Sequence, residues 1–367
     1  MSHGMVGSIV EVAIVGLGRI SRLHVNAAIS QWKDCRVKAV CDVDEERVRD
    51  VKAHIEQQYS ALLDQPNAVD GFCRFEELID AIRQKRIQVQ LIVLATPSGL
   101  HAAQTIAASR CGVSVCTEKP MATSWKDALM MTDSCKAEKV NLFVVKQNRF
   151  NTTLQLLKRQ IDKGRFGKIY LCNINVLWHR PQEYYDQAAW RGTKSQDGGA
   201  LMNQASHYVD LINWLGGPVE TVNAEIGTLG RDIEVEDTAV LRVRWKSGGI
   251  GTLNTTMLTF PSNLEGSITI IGEKGTVKVG GKAVNRIEEW KFLDSDSDDR
   301  LVDQASYEPS SVYGDGHIAY YKNMIGVMRD GEKPICDGEE GLKCLELLMA
   351  SYKSAELGCT IQLPLPR

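Results

Sequence analysis

Over roughly its first 150 residues the chain alternates without a break between short apolar runs rich in β-branched residues and longer amphipathic stretches. The runs IVEVAIV (9–15), RVKAVCD (36–42), VQLIVLATP (89–97), GVSVCTE (112–118) and NLFVVKQN (141–148) read as buried strands, with a weaker one near Gly71 to Arg74. The intervening stretches, among them DEERVRDVKAHIEQQY, FEELIDAIRQKR, HAAQTIAAS and WKDALMMTDSCKAEK, read as helices. Strict alternation of this kind predicts βαβ units and a doubly wound parallel sheet, whose ligands sit at the carboxyl ends of the strands.

The rhythm then changes. NTTLQLLKRQIDKG (151–164) predicts a helix closed by Gly164, KIYLCNINVLWH a strand, and RPQEYYDQAAWRGTKSQDGG (180–199) an irregular stretch. ALMNQASHYVDLINWLGG (200–217) predicts one continuous helix. Strands then follow in hairpin style, with KSGG and EKG as the turns, and two late helices begin near His317 and Glu339. The expected fold class is α/β: an N-terminal Rossmann doubly wound sheet over 1–146 and a C-terminal α+β domain with a mostly antiparallel sheet over 147–367. LDSDSDDR (293–300) is expected to be a solvated loop.

Composition narrows the function classes. The formal net charge is -3 and no basic stripe is visible, which argues against nucleic acid and anionic membranes as partners. No apolar run is long enough to span a bilayer, and MSHGMVGSIVEVAIVG lacks the basic n-region of a signal peptide. The ten cysteines form no C-x-x-C pair and several lie in strand-like runs, the pattern of buried free thiols in a reducing, cytoplasmic setting. Neither cysteines nor histidines show zinc spacing, so no metal is expected.

Four motifs carry chemistry. Gly16-Leu17-Gly18-Arg19-Ile20-Ser21 joins the first strand to a helix; its glycines suit a tight turn and close approach of a pyrophosphate. The second strand ends in Asp42, an acid that would accept from a ribose 2′-OH and repel a 2′-phosphate, so the expected cofactor is NAD and not NADP. Thr96, Pro97, Ser98, Leu100 and His101 follow the next strong strand and are expected to line the cofactor, Ser98 also being suited to cap the following helix. Glu118 and Lys119, in TEKPM, close the strand after that, and Gln147 closes NLFVVKQN; all three are expected beside the cofactor. A lysine next to a cationic nicotinamide would have its pKa lowered, which suits proton transfer. Finally, Asn203, His207 and Asp210 are spaced i, i+4, i+7 and on a regular helix would share one face.

Together these signals resemble the Gfo/Idh/MocA oxidoreductase family across essentially the whole chain: the glycine turn, the E-K-P tripeptide, the G-G-x(4)-Q-x-x-H-x-x-D segment from Gly198 to Asp210 and the antiparallel second half. The resemblance implies that Lys119 and His207 sit at a substrate hydroxyl, and leaves open which of them accepts the proton. Where that family commonly has an aspartate four residues before the histidine, this chain has Asn203, which cannot take a proton and is left with hydrogen bonding to substrate.

The segments TPSGLH, RPQEYYD, WRGT, EVEDTA and SVYGDGH further resemble the branch of the family that oxidises the C3 hydroxyl of UDP-N-acetyl-2-amino-2-deoxy-D-glucuronate in bacterial O-antigen and lipopolysaccharide synthesis. Such a substrate carries two phosphates, a carboxylate and flat rings. Lys146, Arg149, Arg180 and Arg191 are the expected cationic partners, Asn148 a polar one, and Tyr184, Trp190 and Tyr313 the aromatic ones. The resemblance also implies a homotetramer, and reoxidation of the cofactor either by release or in place by 2-oxoglutarate. The competing expectations are another sugar or inositol dehydrogenase of the family, and a non-catalytic NAD-binding sensor or repressor on the same fold.

Overall fold

The computed structural model describes residues 9–63, 67–308 and 316–366. The chain forms two compact units: residues 1–145 with 317–342, and residues 146–316 with 343–367.

The first unit is built on six strands: β1 (Val10–Val15), β2 (Cys35–Cys41), β3 (Asp70–Phe72), β4 (Leu91–Leu94), β5 (Ser114–Thr117) and β6 (Leu142–Val144). They lie in the order β3-β2-β1-β4-β5-β6, and every pairing is parallel. Both β4 and β5 are buried along their whole length, which is why their sequences run apolar and β-branched instead of alternating. The direction of winding reverses between β1 and β4, and an open sheet offers its ligand crevice at such a point. The intervening helices are α1 (Ser21–Ser30), α2 (Glu45–Ser60), α3 (Phe75–Arg83), α4 (His101–Ser109) and α5 (Trp125–Ala137).

The second unit contains α6 (Thr152–Asp162), β7 (Ile169–Leu177), α7 (Gln182–Asp186), α8 (Ser206–Gly216), β8 (Val219–Gly227), β9 (Thr238–Trp245), β10 (Ile250–Thr256), β11 (Glu265–Gly272), β12 (Gly275–Gly280), β13 (Arg286–Phe292) and α9 (Val302–Ala305). Two further helices follow, α10 (His317–Asp330) and α11 (Gly338–Leu357), and then a short strand, β14 (Ile361–Gln362). The eight-stranded sheet has the order β13-β12-β11-β7-β10-β9-β8-β14, antiparallel except where β7 meets β10. β9 alternates strictly between buried and open positions, as a strand with one covered face must. On the covered face α8 packs against β7 and β10, with the Trp245 indole N–H donating to Ile212 O at 3.2 Å.

One segment departs from a single cut near residue 146. α10 belongs with the first unit because its apolar side buries Tyr320, Tyr321, Met324 and Ile325 there; it packs on α1, and Arg329 pairs with Asp34. The 293–300 stretch is also more than a solvated loop. Asp296, Asp298 and Asp299 gather Lys163, Arg159 and Arg165 around a short turn. All ten cysteines are free thiols; seven are buried, and burial pushes Cys35 and Cys172 up to about 12. Among the described residues no helix is long and apolar enough to cross a membrane.

Candidate active site

In the first unit the glycine turn is shaped by lack of space at one glycine and abundance at the other. Gly16 has φ +86, and a Cβ there would meet Ala95 O at 2.6 Å, so only glycine lets β1 pass so close to the end of β4. A Cβ on Gly18 would touch nothing, which leaves the backbone open to a ligand. Ser21, in place of a third glycine, is buried and donates to Gly18 O at 2.6 Å, closing the turn from beneath. Asp42 accepts from the Leu17 amide at 2.6 Å and the Asp44 amide at 2.9 Å, so its carboxylate is fixed beside the turn. Arg19 is exposed and Ile20 half-buried at the same turn. These features fit a dinucleotide: a pyrophosphate can approach Gly18, and a half-buried acid stands where a ribose hydroxyl would need an acceptor.

The tips of β4 and β5 are tied together from below. His101 is fully buried, and its ring nitrogens face Pro120 O at 3.0 Å and Thr96 O at 2.9 Å. It therefore staples the TPSGLH loop to the E-K-P loop instead of pointing at a ligand, while Pro97 and Leu100 are exposed on that loop. Burial pushes the His101 imidazole down, opposed by the two carbonyls. Ser98 does not cap α4: it opens a single 3-10 turn, Ser98–Leu100, that enters the helix without a side-chain cap.

Glu118 is likewise an inward residue. It accepts from His24 Nε2 at 3.0 Å and from the Lys119 amide at 3.0 Å, and His317 Nε2 lies 4.0 Å away. The Tyr321 hydroxyl stands 3.0 Å from His24 Nδ1. With the hydroxyl donating to Nδ1, the neutral imidazole donates Nε2–H to an ionised Glu118, a tautomer assigned from the network. Burial pushes His24 down, consistent with that neutral ring. Burial would push Glu118 up, but its contacts with His24 and His317 hold it well below the usual carboxylate range. Lys119 is thus left half-buried on a loop whose backbone is pinned by the residue before it.

In the second unit the expected continuous helix is broken. Residues Ala200–Gln204 form one turn of π-helix, closed by Ala205 N–H to Ala200 O at 2.8 Å, and α8 starts only at Ser206. The extra residue in that turn departs from the regular spacing on which a shared face for Asn203, His207 and Asp210 was expected; such bulges are frequent at functional sites. Asn203 donates to Asp197, which also accepts the Gly192 amide at 2.7 Å. His207 is buried, and Gln147 Nε2 lies 3.1 Å from its Nε2. With that amide donating, Nε2 carries the lone pair and is the basic nitrogen. Gln147 was expected at the cofactor; within its own unit it is the neighbour of His207.

Arg149 departs furthest from expectation. It is buried, and its guanidinium grips Asp210 through Nε at 2.7 Å and Nη2 at 2.8 Å. Lys146 stands 3.8 Å from the same carboxylate. Burial would push Asp210 up, but Arg149 and Lys146 hold it below its ordinary value. These two cations, expected for a substrate, both lie against Asp210, a buried acid of α8. Asn148 is buried beside them, and its Oδ1, like Gln147 Oε1, has no hydrogen-bond partner among the described residues.

The loop cations are held more loosely. Arg180 donates to Gln204 Oε1 at 3.2 Å and His179 O at 2.7 Å and sits over the Tyr184 ring at 5.4 Å. Arg191 stacks on Tyr184 at 4.2 Å, and Trp190 is exposed beside it. Tyr184 O–H accepts from Gln204 Nε2 at 3.0 Å, which brings the aromatic loop to the π-turn. Tyr313 lies outside the described residues. Sequence reasoning missed His24, His317 and Tyr321 behind Glu118, and Asp197, Gln204 and Glu236 around the π-turn. Gln204 is the glutamine of the G-G-x(4)-Q segment, Glu236 lies in EVEDTA and His317 ends SVYGDGH, so those motifs were the available signal; Asp197 adjoins the G-G pair, and His24 and Tyr321 had none.

Comparison with known proteins shows the family. The chain belongs to the Gfo/Idh/MocA oxidoreductase family: the model described as "Oxidoreductase family, NAD-binding Rossmann fold" matches residues 10–146, and "Oxidoreductase family, C-terminal alpha/beta domain" matches residues 158–363. Among solved structures it is similar to the WlbA dehydrogenase from Bordetella pertussis in complex with NADH and UDP-GlcNAcA, at 48% identity and a TM-score of 0.90, covering 98% of this chain and 99% of that one. The WlbA dehydrogenase from Chromobacterium violaceum, also in complex with NADH and UDP-GlcNAcA, is 48% identical with a TM-score of 0.88, covering 98% and 97%. Myo-inositol 2-dehydrogenase of Thermotoga maritima is 24% identical over 94% of this chain and 96% of its own length.

Proposed function

We propose that the protein oxidises the C3 hydroxyl of UDP-N-acetyl-2-amino-2-deoxy-D-glucuronate to the 3-keto sugar, with NAD as oxidant, as a step in bacterial O-antigen and lipopolysaccharide sugar synthesis. The observation that carries this reading is the full-length 48% identity to two dehydrogenases whose structures hold NADH and UDP-GlcNAcA. When bound, NAD supplies the hydride acceptor. Gly16, Gly18 and Asp42 hold it through backbone and carboxylate, and the loop bearing Pro97 and Leu100 borders it. Lys119 and His207 handle the hydroxyl proton; the basic nitrogen of the imidazole is Nε2, and Lys119 donates to the oxygen that becomes the ketone. Asn203 hydrogen-bonds the sugar. Arg180 and Arg191 meet the phosphates and carboxylate, and Tyr184 and Trp190 the rings. The assembly is a homotetramer in the cytoplasm.

The test is absorbance of reduced nicotinamide with NAD and the uronic acid, with and without 2-oxoglutarate, beside UDP-N-acetylglucosamine and myo-inositol. The sugar is followed by mass in parallel, so that a cofactor recycled in place does not hide turnover. Loss of two hydrogens from the uronic acid alone is the expected result. Oxidation of myo-inositol instead would move the protein to another branch of the family, and NAD binding without any oxidation would favour the sensor.

A further inference from the structure

Glu236 lies in EVEDTA just before β9, is 5% exposed, and has no part in the chemistry above. Its backbone carbonyl accepts the Ala200 amide at 2.9 Å and its Oε1 accepts the Leu201 amide at 2.8 Å. The first two amides of the π-turn therefore end on one residue. Gly199, at φ +87, brings its backbone so close that a Cβ would stand 2.1 Å from Glu236 Oε2. The carboxyl is seated flush against the Gly198–Gly199 turn.

The third neighbour decides its state. The Tyr352 hydroxyl, on α11, lies 2.6 Å from Gly198 O and 2.9 Å from Glu236 Oε1. A hydroxyl has one proton to donate, and a carbonyl oxygen can only accept. Tyr352 can serve both oxygens only by sharing its proton, and the shorter contact favours Gly198. With the proton there, the oxygens of Tyr352 and Glu236 face each other at hydrogen-bond distance, an arrangement that a proton on the carboxyl satisfies.

We propose that Glu236 stands as a neutral carboxylic acid in mildly acidic solution, where an ordinary glutamate is ionised, donating to Tyr352, which donates to Gly198, and that this chain of bonds is a positioning device for the turn and helix that carry Asn203 and His207. The titratable groups facing it are Tyr352 from α11 and Asp197 from the loop before Gly198. Asp197 is an acid that disfavours a second negative charge. Burial pushes the Glu236 carboxyl up to about 7, with the help of Asp197 and against the Leu201 amide and the nearness of the Tyr352 hydroxyl. Ionisation would draw the Tyr352 proton to the carboxylate, leave Gly198 O without its donor and loosen the turn.

The experiment uses the full chain and reads the carboxyl directly, so it stands apart from the substrate assignment. Infrared spectra of wild type and Glu236→Gln are compared between the ordinary glutamate value of 4.5 and about 7, and melting temperatures are followed across the same range. A folded pKa above the unfolded one gives stability that is complete below about 4.5 and is lost as pH rises through about 7. Wild type should show a protonated-carboxyl band missing from Glu236→Gln, and a fall in melting temperature through about 7 that the amide, neutral at every pH, lacks. Tyr352→Phe should keep the acid band and shift it to the position of a weaker hydrogen bond. Where a UDP-sugar is turned over, the alkaline fall of kcat should flatten in Glu236→Gln. No acid band in wild type, or parallel melting profiles for wild type and Glu236→Gln, would overturn the proposal. No turnover of any sugar would overturn the proposed function and leave the spectroscopic and melting results to decide this one.

Discussion

Lys119 and His207 show how far single residues could be read from sequence. Their neighbours in the chain marked them as candidates, and each is held by a residue that the sequence named for the cofactor and not as its partner: the pinned Glu118 before Lys119, and Gln147 beside His207. Replacing either by alanine should lower kcat by about 10²–10⁴-fold, the usual contribution of acid–base catalysis, with NAD affinity kept; stopped-flow turnover and cofactor titration check this. Asp42→Ala should weaken NAD binding and narrow its preference over NADP, because the ribose acceptor and the brace of the Leu17 amide are lost together. The Lys146 and Arg149 cations were legible as charges but not as partners, since no rule of spacing tells a chain that Asp210 will lie beneath them. Arg149→Met would leave the buried Asp210 carboxylate with Lys146 at 3.8 Å as its remaining cation and should cost about 3 kcal/mol in denaturant unfolding. Because pairing holds Asp210 below its ordinary value, the stability it contributes is present above the usual carboxylate range and is lost as pH falls through the lowered value.

At the scale of elements, local chemistry predicted well and long-range constraint did not. The β9–β10 and β11–β12 hairpins were visible because turn residues sit between two periodic runs. β13, rich in charged residues and mostly open to solvent, and the two-residue β14 carry no such signal and exist because a neighbouring strand offers hydrogen bonds. The π-turn was invisible for a similar reason. Its residues are mostly good helix formers, and the contacts that seat its first two amides on Glu236, beside the Gly198–Gly199 approach, come from far along the chain. Gly199→Ala, which forces a Cβ into Glu236 at φ +87, should destabilise the protein by about 2 kcal/mol or more and lower kcat, without changing the affinity of the first unit for NAD. Denaturant midpoints and cofactor titration on the same samples test both halves of that expectation.

For the whole molecule, the alternation of strand and helix was enough to specify the parallel sheet and its ligand edge, since few topologies satisfy right-handed crossovers in that order. The return of residues 317–342 to the first unit was beyond such reasoning, because helix periodicity says which face of α10 is apolar and not what covers it. A fragment ending at Val145 should therefore fold poorly, as measured by its circular dichroism melt. The same fragment with 317–342 joined to it should melt cooperatively and bind NAD. The return has a consequence for how the protein is made. Domains tend to fold as they leave the ribosome, the N-terminal one first. Here the strands of the nucleotide-binding unit emerge early, but the helix that covers α1 and brings Tyr321 to His24 emerges only after β7 through β13 of the other unit. The part of the protein that is translated first has to wait, incomplete, for one that is translated late.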